Sequence, residues 1–197
     1  MATASKQAFR CTKCGSYFES ELPGVINVGE HHELKEAVLD GSIFFTECPK
    51  CSTRQLVKWP LLYVDPAVRL IVLLSDSPLG LEDSAGYTTR RVERAGDLIE
   101  KIKIFDAGLD DRAVELCKYI SRQDMGIGNA DLRFVRMDGA DADLVFTYPS
   151  EGKMEMIAVS FASYEDCSAI LRRNPDISGS IKGFALVDEA WISSFLA

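Results

Sequence analysis

Apolar positions recur along this chain in short runs that predict many small elements. "GVINVGE" at 24–30 and "SIFFTE" at 42–47 read as strands. Between them "HHELKEAVLDG" reads as a helix, with Leu34 and Val38 four apart and Gly41 at the stop position. "RQLVKW" at 54–59 and "RLIVLLS" at 69–75 alternate or run apolar in the manner of sheet strands. "PLLYVDP" at 60–66 reads as a Pro-bounded turn region between them.

Residues 76–89, "DSPLGLEDSAGYTT", are rich in Gly, Ser, Asp and Pro and predict a linker. Beyond it, Leu98, Ile99, Ile102 and Phe105 keep helical spacing up to Gly108, and Leu109, Val114, Leu116 and Ile120 carry a second helix. "DLRFVRM", "DADLVFTY" and "KMEMIAVSF", separated by "DGA" and "PSEG", predict a three-stranded antiparallel meander. "SYEDCSAILRR" predicts a helix capped by Ser163, "FALVD" a further strand, and "EAWISSFL" a closing helix that packs Trp191 and Phe195. The fold class expected is α+β. A zinc-ribbon-like domain with an inserted helix spans 1–75, the linker 76–89, and an acidic α+β domain with a helical pair, the meander and packed helices 90–197.

Charge sharpens this division. Of the net −8, residues 1–75 contribute nothing, with eight basic and eight acidic side chains. Residues 76–197 carry fourteen basic against twenty-two acidic side chains, the whole of the excess. Nucleic-acid phosphates call for a positive footprint, so general nucleic-acid binding is disfavoured and only the cysteine-bearing part stays eligible. No run of about 18 apolar residues predicts a membrane span, and "MATASKQAFR" lacks the pattern of a secretory signal. These features predict a soluble cytoplasmic protein with reduced thiols, where closely spaced cysteines serve as metal ligands or redox groups more often than as disulfides.

The chemistry concentrates in "RCTKCGSYF" at 10–18 and "TECPKCSTR" at 46–54. Cys11 and Cys14 form one Cys-x-x-Cys pair, Cys48 and Cys51 a second, with 33 residues between. A tetrahedral zinc ion takes four thiolates at about 2.3 Å, and the two-residue spacing lets one tight turn present two sulfurs to adjacent vertices. Gly15 permits a positive φ after the first pair; Ser52 stands in that place after the second. Four thiolates and one zinc ion sum to −2, which Arg10, Lys13, Lys50 and Arg54 are placed to offset. A thioredoxin-like redox pair occurs once, between strand and helix, whereas this pair occurs twice between strands. One shared structural zinc is therefore the favoured reading over redox exchange or two short disulfides.

At these residues the chain resembles the CpXC domain family, named for a Cys-Pro-x-Cys knuckle that appears here as "CPKC". The similarity continues through "GVINVGEHHELKEAVLDG", "WPLLYVDP" and, more loosely, "IKIFDAGLDDRAVELCK". The resemblance implies a bacterial or archaeal protein that binds zinc through Cys11, Cys14, Cys48 and Cys51. It implies no assigned biochemical activity.

The other candidates have plain structural readings. His31 and His32 begin the first helix, and with four thiolates available a solvated helix start is favoured over a metal role. Asp110 and Asp111 are paired carboxylates suited to acid–base chemistry, yet they start the second helix of the pair, where capping is favoured, with Arg112 and Glu115 as a local ion pair. Cys117 and Cys167 sit in apolar helical contexts and are read as core. "MGIGNA" at 125–130 lacks the lysine of a phosphate loop and is read as a connector. Tyr63 and Asp65 either shape a groove with Trp59 or lock their turn, and the second is favoured.

Three function classes remain. The first is a zinc-stabilised, non-enzymatic binding or adaptor module acting on an unidentified protein partner, with a redox-sensing variant in which oxidation releases zinc. The second is nucleic-acid binding by the ribbon alone, through Lys6, Arg10, Lys13, Lys50, Arg54 and Lys58. The third is a small-molecule enzyme with its site outside the knuckles. No Ser-His-Asp order, nucleotide fingerprint or metalloprotease motif supports it.

Overall fold

Leu70–Leu74 is an unbroken apolar run, and such a run suits a strand covered on both faces. The computed structural model, which describes residues 4–80 and 85–196 without the side chain of Ser178, places it as a central strand with all five residues buried. The chain forms two compact units, 1–99 and 100–197.

In the first unit, β1 (Ala4–Arg10) pairs antiparallel with β2 (Tyr17–Pro23), Arg10 opposite Tyr17. β3 (Val25–Asn27) and α1 (Glu33–Leu39) follow, then a 3-10 turn at Ser42–Phe44. β4 (Phe45–Glu47) pairs antiparallel with β5 (Arg54–Leu56), Glu47 opposite Arg54. β6 (Leu61–Asp65), β7 (Leu70–Leu74) and β8 (Thr88–Val92) join β3 in a mixed sheet of order β3-β6-β7-β8. Only the β6–β7 pair is antiparallel. Ile26, Tyr63, Leu61 and Val72 are fully buried in it. The Phe44 and Trp59 rings meet at 5.7 Å, tilted by 45°, and the Trp59 indole N–H donates to the Pro23 carbonyl at 2.8 Å.

α2 (Ala95–Asp106) carries the division between the units. The second unit continues with α3 (Asp111–Met125), the meander β9 (Arg133–Asp138), β10 (Asp143–Ser150) and β11 (Lys153–Val159), and helices α4 (Phe161–Arg173), α5 (Pro175–Gly179) and α6 (Glu189–Leu196). The meander is antiparallel in the order β11-β10-β9, as its turn spacing predicts. Its core gathers Phe134 and Phe146, edge to face at 5.9 Å, with Leu116, Leu132, Leu144 and Ile192.

Several expectations change. The α+β class holds, with six helices among the described residues and several small sheets. "PLLYVDP" is strand β6 rather than a turn: Pro60 and Pro66 flank the strand, where a missing N–H breaks no ladder bond. The linker expected at 76–89 falls partly on 81–84, outside the described residues, and its end belongs to β8, which pairs with β7 over Leu70–Leu74. The division between the two compact units falls inside α2, between Ile99 and Glu100. Ser160, not Ser163, caps α4: its hydroxyl accepts the Ser163 N–H at 3.2 Å. "FALVD" forms no strand. In α6, Ile192 is fully buried, while Trp191 and Phe195 meet edge to face at 5.7 Å with Phe195 partly exposed. No helix among the described residues is long and apolar enough to cross a membrane.

Candidate metal centre

Each two-stranded hairpin ends in a Cys-x-x-Cys knuckle, and the two knuckles fold alike. In the first, Cys11 N–H donates to the Ser16 carbonyl at 2.8 Å and Gly15 N–H to the Cys11 carbonyl at 3.0 Å. In the second, Cys48 N–H donates to the Thr53 carbonyl at 3.0 Å and Ser52 N–H to the Cys48 carbonyl at 2.8 Å. The turn needs a left-handed residue after the second cysteine. Gly15 supplies it at φ +71°, and Ser52 adopts it at φ +53° despite its Cβ, at a cost of about 1–2 kcal/mol. The serine thus departs from glycine in sequence and matches it in backbone.

The four sulfurs converge. All lie within 4.8 Å of one another, with Cys11 Sγ 3.6 Å from Cys51 Sγ and Cys14 Sγ 3.7 Å from Cys48 Sγ. A tetrahedral ion with metal–sulfur bonds of about 2.3 Å requires edges of roughly 3.8 Å, so these thiols fit the donor set of a four-thiolate site. Among the described residues this is the one group of three or more such donors placed to hold a metal ion. Cys11 and Cys48 are buried and Cys14 is exposed, which leaves the centre at the surface on one side.

The surroundings treat the sulfurs unequally. The Ser16 hydroxyl and N–H, bonding to the Cys14 sulfur, lower that thiol to about 6. Thr53, by its hydroxyl and N–H, lowers Cys51 in the same way. Burial pushes Cys48 up to about 11. A divalent cation held by these four sulfurs would offset that burial penalty, because it would stabilise the thiolate that the apolar surroundings disfavour. Matched hydroxyls two residues after the second cysteine of each pair were present in the sequence as a signal that cysteine spacing alone passes over.

One side chain ties the two knuckles together. Gln55, 8 % exposed, accepts the Thr12 N–H at 2.9 Å through Oε1 and donates to the Arg10 carbonyl at 3.2 Å through Nε2. Its only hint in the sequence is a polar residue at the inward position of "RQL", between outward Arg54 and Leu56. Gln55→Ala leaves a backbone donor and an acceptor of the first knuckle unpaired. Loss of such outer partners weakens metal affinity by about 10–100-fold, so competition with a chromogenic chelator is expected to show a shift of that size with metal stoichiometry intact.

Of the cations near the sulfurs, Arg10 lies over the Tyr17 ring at 5.8 Å and Arg54 over the Phe45 ring at 4.6 Å. His31 approaches Glu33 at 3.4 Å and His32 stands at the N-cap of α1, so neither joins the sulfurs. Tyr63 and Asp65 are locked as expected. Asp65 accepts from Lys35 Nζ at 2.8 Å, Ala67 N–H at 3.0 Å and the Tyr63 hydroxyl at 3.3 Å. Burial opposes the charge on Asp65, and the Lys35 ammonium overcomes it, leaving the carboxyl below its usual range. Trp59 is buried and makes no groove with them.

In the second unit the paired aspartates part company. Asp110 caps α3, accepting the Arg112 N–H at 3.0 Å and a forked bond from its guanidinium at 2.6–3.1 Å. Asp111 is fully buried and pairs with Lys101 at 3.0 Å. Glu115 turns inward to Lys118 at 3.1 Å and Lys101 at 3.6 Å, so the expected Arg112–Glu115 pair does not form. Glu100 completes this buried group, accepting from Lys118 at 3.1 Å and from the Phe134 N–H at 2.7 Å. "MGIGNA" is a connector, with Gly126 ending α3 at φ +62°.

No curated protein and no solved structure matches this chain. The family model described as CpXC protein matches residues 9–118, more than half of the sequence, from the strand before the first knuckle into α3. The chain belongs to the CpXC family.

Proposed function

We propose that Cys11, Cys14, Cys48 and Cys51 hold one zinc ion in the manner of a zinc ribbon, and that the chain acts as a non-enzymatic binding or adaptor module in the cytoplasm. The closed donor set carries the reading: four converging thiols fill every position of a tetrahedral ion and leave none for a substrate or a reactive water. When bound, zinc supplies a fixed tetrahedral template and compensates thiolate charge. The residues of this chain do the rest. Ser16 and Thr53 place a hydroxyl and a backbone N–H beside the Cys14 and Cys51 sulfurs, and Gln55 fixes one knuckle against the other.

The hairpins then present a rigid surface. Tyr17, Phe45 and Leu56 are 78 %, 42 % and 64 % exposed, with Arg10 and Arg54 held over the two rings. Aromatic and arginine side chains dominate the energetics of protein interfaces, which suits a protein partner. The nucleic-acid alternative has less support. Arg10 and Arg54 are engaged by rings, Lys6 approaches Glu19 at 3.9 Å and Lys58 pairs with Asp76, so most of the cations it needs have partners within the chain.

Affinity capture from the native host with wild-type chain and a Tyr17→Ser/Phe45→Ser/Leu56→Ser variant tests the adaptor reading. A partner retained by the first and lost by the second, at equal zinc content, is expected. Equal recovery by both, or no reproducible partner, overturns it.

A further inference from the structure

Two thiols outside the metal centre lie in the core of the second unit, as their apolar contexts predict, and also border a cavity. Cys117 on α3 and Cys167 on α4 are buried and free, on two helices that pack against each other, and each thiol acts on the titration of the other. Both line a cavity of about 410 Å³ bounded by α3, the end of β11 and the start of α4. Its rim includes Met125 and Ile170, which are 50 % and 37 % exposed, so the cavity reaches solvent. A cysteine that acts only as a small hydrophobe is enclosed by carbon. Here both side chains also border one cavity that carries the polar groups of Ser121, Asp124, Ser160 and Asp166.

We propose that Cys117 and Cys167 form a peroxide-reactive dithiol, reached through this cavity by hydrogen peroxide or a small neutral hydroperoxide and closing to a disulfide between α3 and α4. The roles of the two sulfurs follow from their neighbours. Cys117 receives hydrogen bonds from the Cys167 thiol and the Ser121 hydroxyl, which hold it below the ordinary thiol range against burial. Cys167 is pushed up by its bond to Cys117, by burial and by the Asp166 carboxylate, so it keeps its proton. Asp124 and Asp166 are the charged side chains of the lining, and they turn the cavity toward uncharged oxidants.

The chemistry balances. The Cys117 thiolate attacks one peroxide oxygen, the O–O bond breaks, and the departing oxygen takes up a proton to leave as water or alcohol. Cys117 becomes a sulfenic acid. The Cys167 sulfur then attacks the Cys117 sulfur, the S–O bond breaks, and water leaves with the Cys167 proton. Two thiols lose two electrons, and the peroxide gains them.

The test uses the full chain loaded with metal, treated with hydrogen peroxide and digested with trypsin without reduction. The expected product is a linked peptide pair carrying Cys117 and Cys167, lighter by two hydrogens than the separate thiols. In Cys167→Ser, dimedone is expected to trap sulfenic acid on Cys117. Cys117 in folded wild-type chain is expected to react faster than in urea at the same pH, because its neighbours favour the thiolate. Recovery of both peptides as free thiols, oxidation confined to the knuckle cysteines, or equal rates in folded and unfolded chain each overturns the proposal. The wild-type product needs no variant to fold.

Discussion

Replacing the buried cysteine of each knuckle, Cys11→Ser/Cys48→Ser, is expected to abolish stoichiometric zinc binding and to melt both hairpins while the four-stranded sheet persists. The hairpins have little else to hold them. β1–β2 and β4–β5 are two-stranded ladders, and an isolated ladder of two strands is marginal in water. Much of each is exposed: β1 and β2 alternate between exposed and half-buried positions, with Leu22 the one fully buried side chain. Metal-binding free energy in such a setting is folding free energy, of about 10–16 kcal/mol in zinc-finger peptides near neutral pH. The sheet differs because Leu70–Leu74 is buried throughout and flanked on both sides. Hydrogen exchange by residue, with elemental analysis, separates the outcomes. Loss of amide protection in Tyr17–Leu22 and Arg54–Leu56 beside retained protection in Ile71–Leu74 is the expected pattern. Protected hairpins in metal-free variant would mean that side-chain packing, not the ion, holds them.

Lys118→Met is expected to destabilise the second unit by about 3–5 kcal/mol, the cost of leaving buried charge uncompensated. Lys118 bridges Glu100 and Glu115 at 3.1 Å each, and all three are buried. Removing the ammonium leaves these carboxylates and Asp111 with Lys101 as the remaining cation of the group. Burial raises the Glu100 pKa even with Lys118 beside it. Burial thus disfavours the charge on Glu100, and Glu100→Gln added to Lys118→Met is expected to recover part of the loss by removing charge while keeping an acceptor for the Phe134 N–H. Urea unfolding of wild type, single and double variants checks both figures. A double variant less stable than Lys118→Met would show that the charge on Glu100 stabilises the group even without its lysine.

These two clusters were unequally legible in the sequence. The knuckles were plain because two Cys-x-x-Cys pairs have few other uses, and Ser52 followed the backbone of Gly15 even though its side chain is different. The long periodic helices α2 and α3 and the turn-separated strands β9–β11 were legible for the same reason, a pattern repeated over many residues. β6 was not, since its five residues lie between prolines that mark a turn and a strand boundary equally well. The buried ion group was hidden because Glu100, Lys101, Asp111, Glu115 and Lys118 look like the solvated face of two helices. Only tertiary packing turns them inward. Asp110 and Asp111 make the point at its smallest scale: adjacent aspartates at a helix start, one a solvent-facing cap and the other a buried ion-pair partner.

β8 has a practical consequence for anyone dividing this chain. A fragment ended at residue 75, where the composition suggests a natural cut, would strip the parallel partner from Leu70–Leu74 and bare a row of N–H and C=O groups on an apolar strand. Uncovered strand edges of that kind recruit other chains. Such a fragment would be expected to precipitate for reasons unrelated to zinc, and its insolubility would be easily misread as a failed metal site.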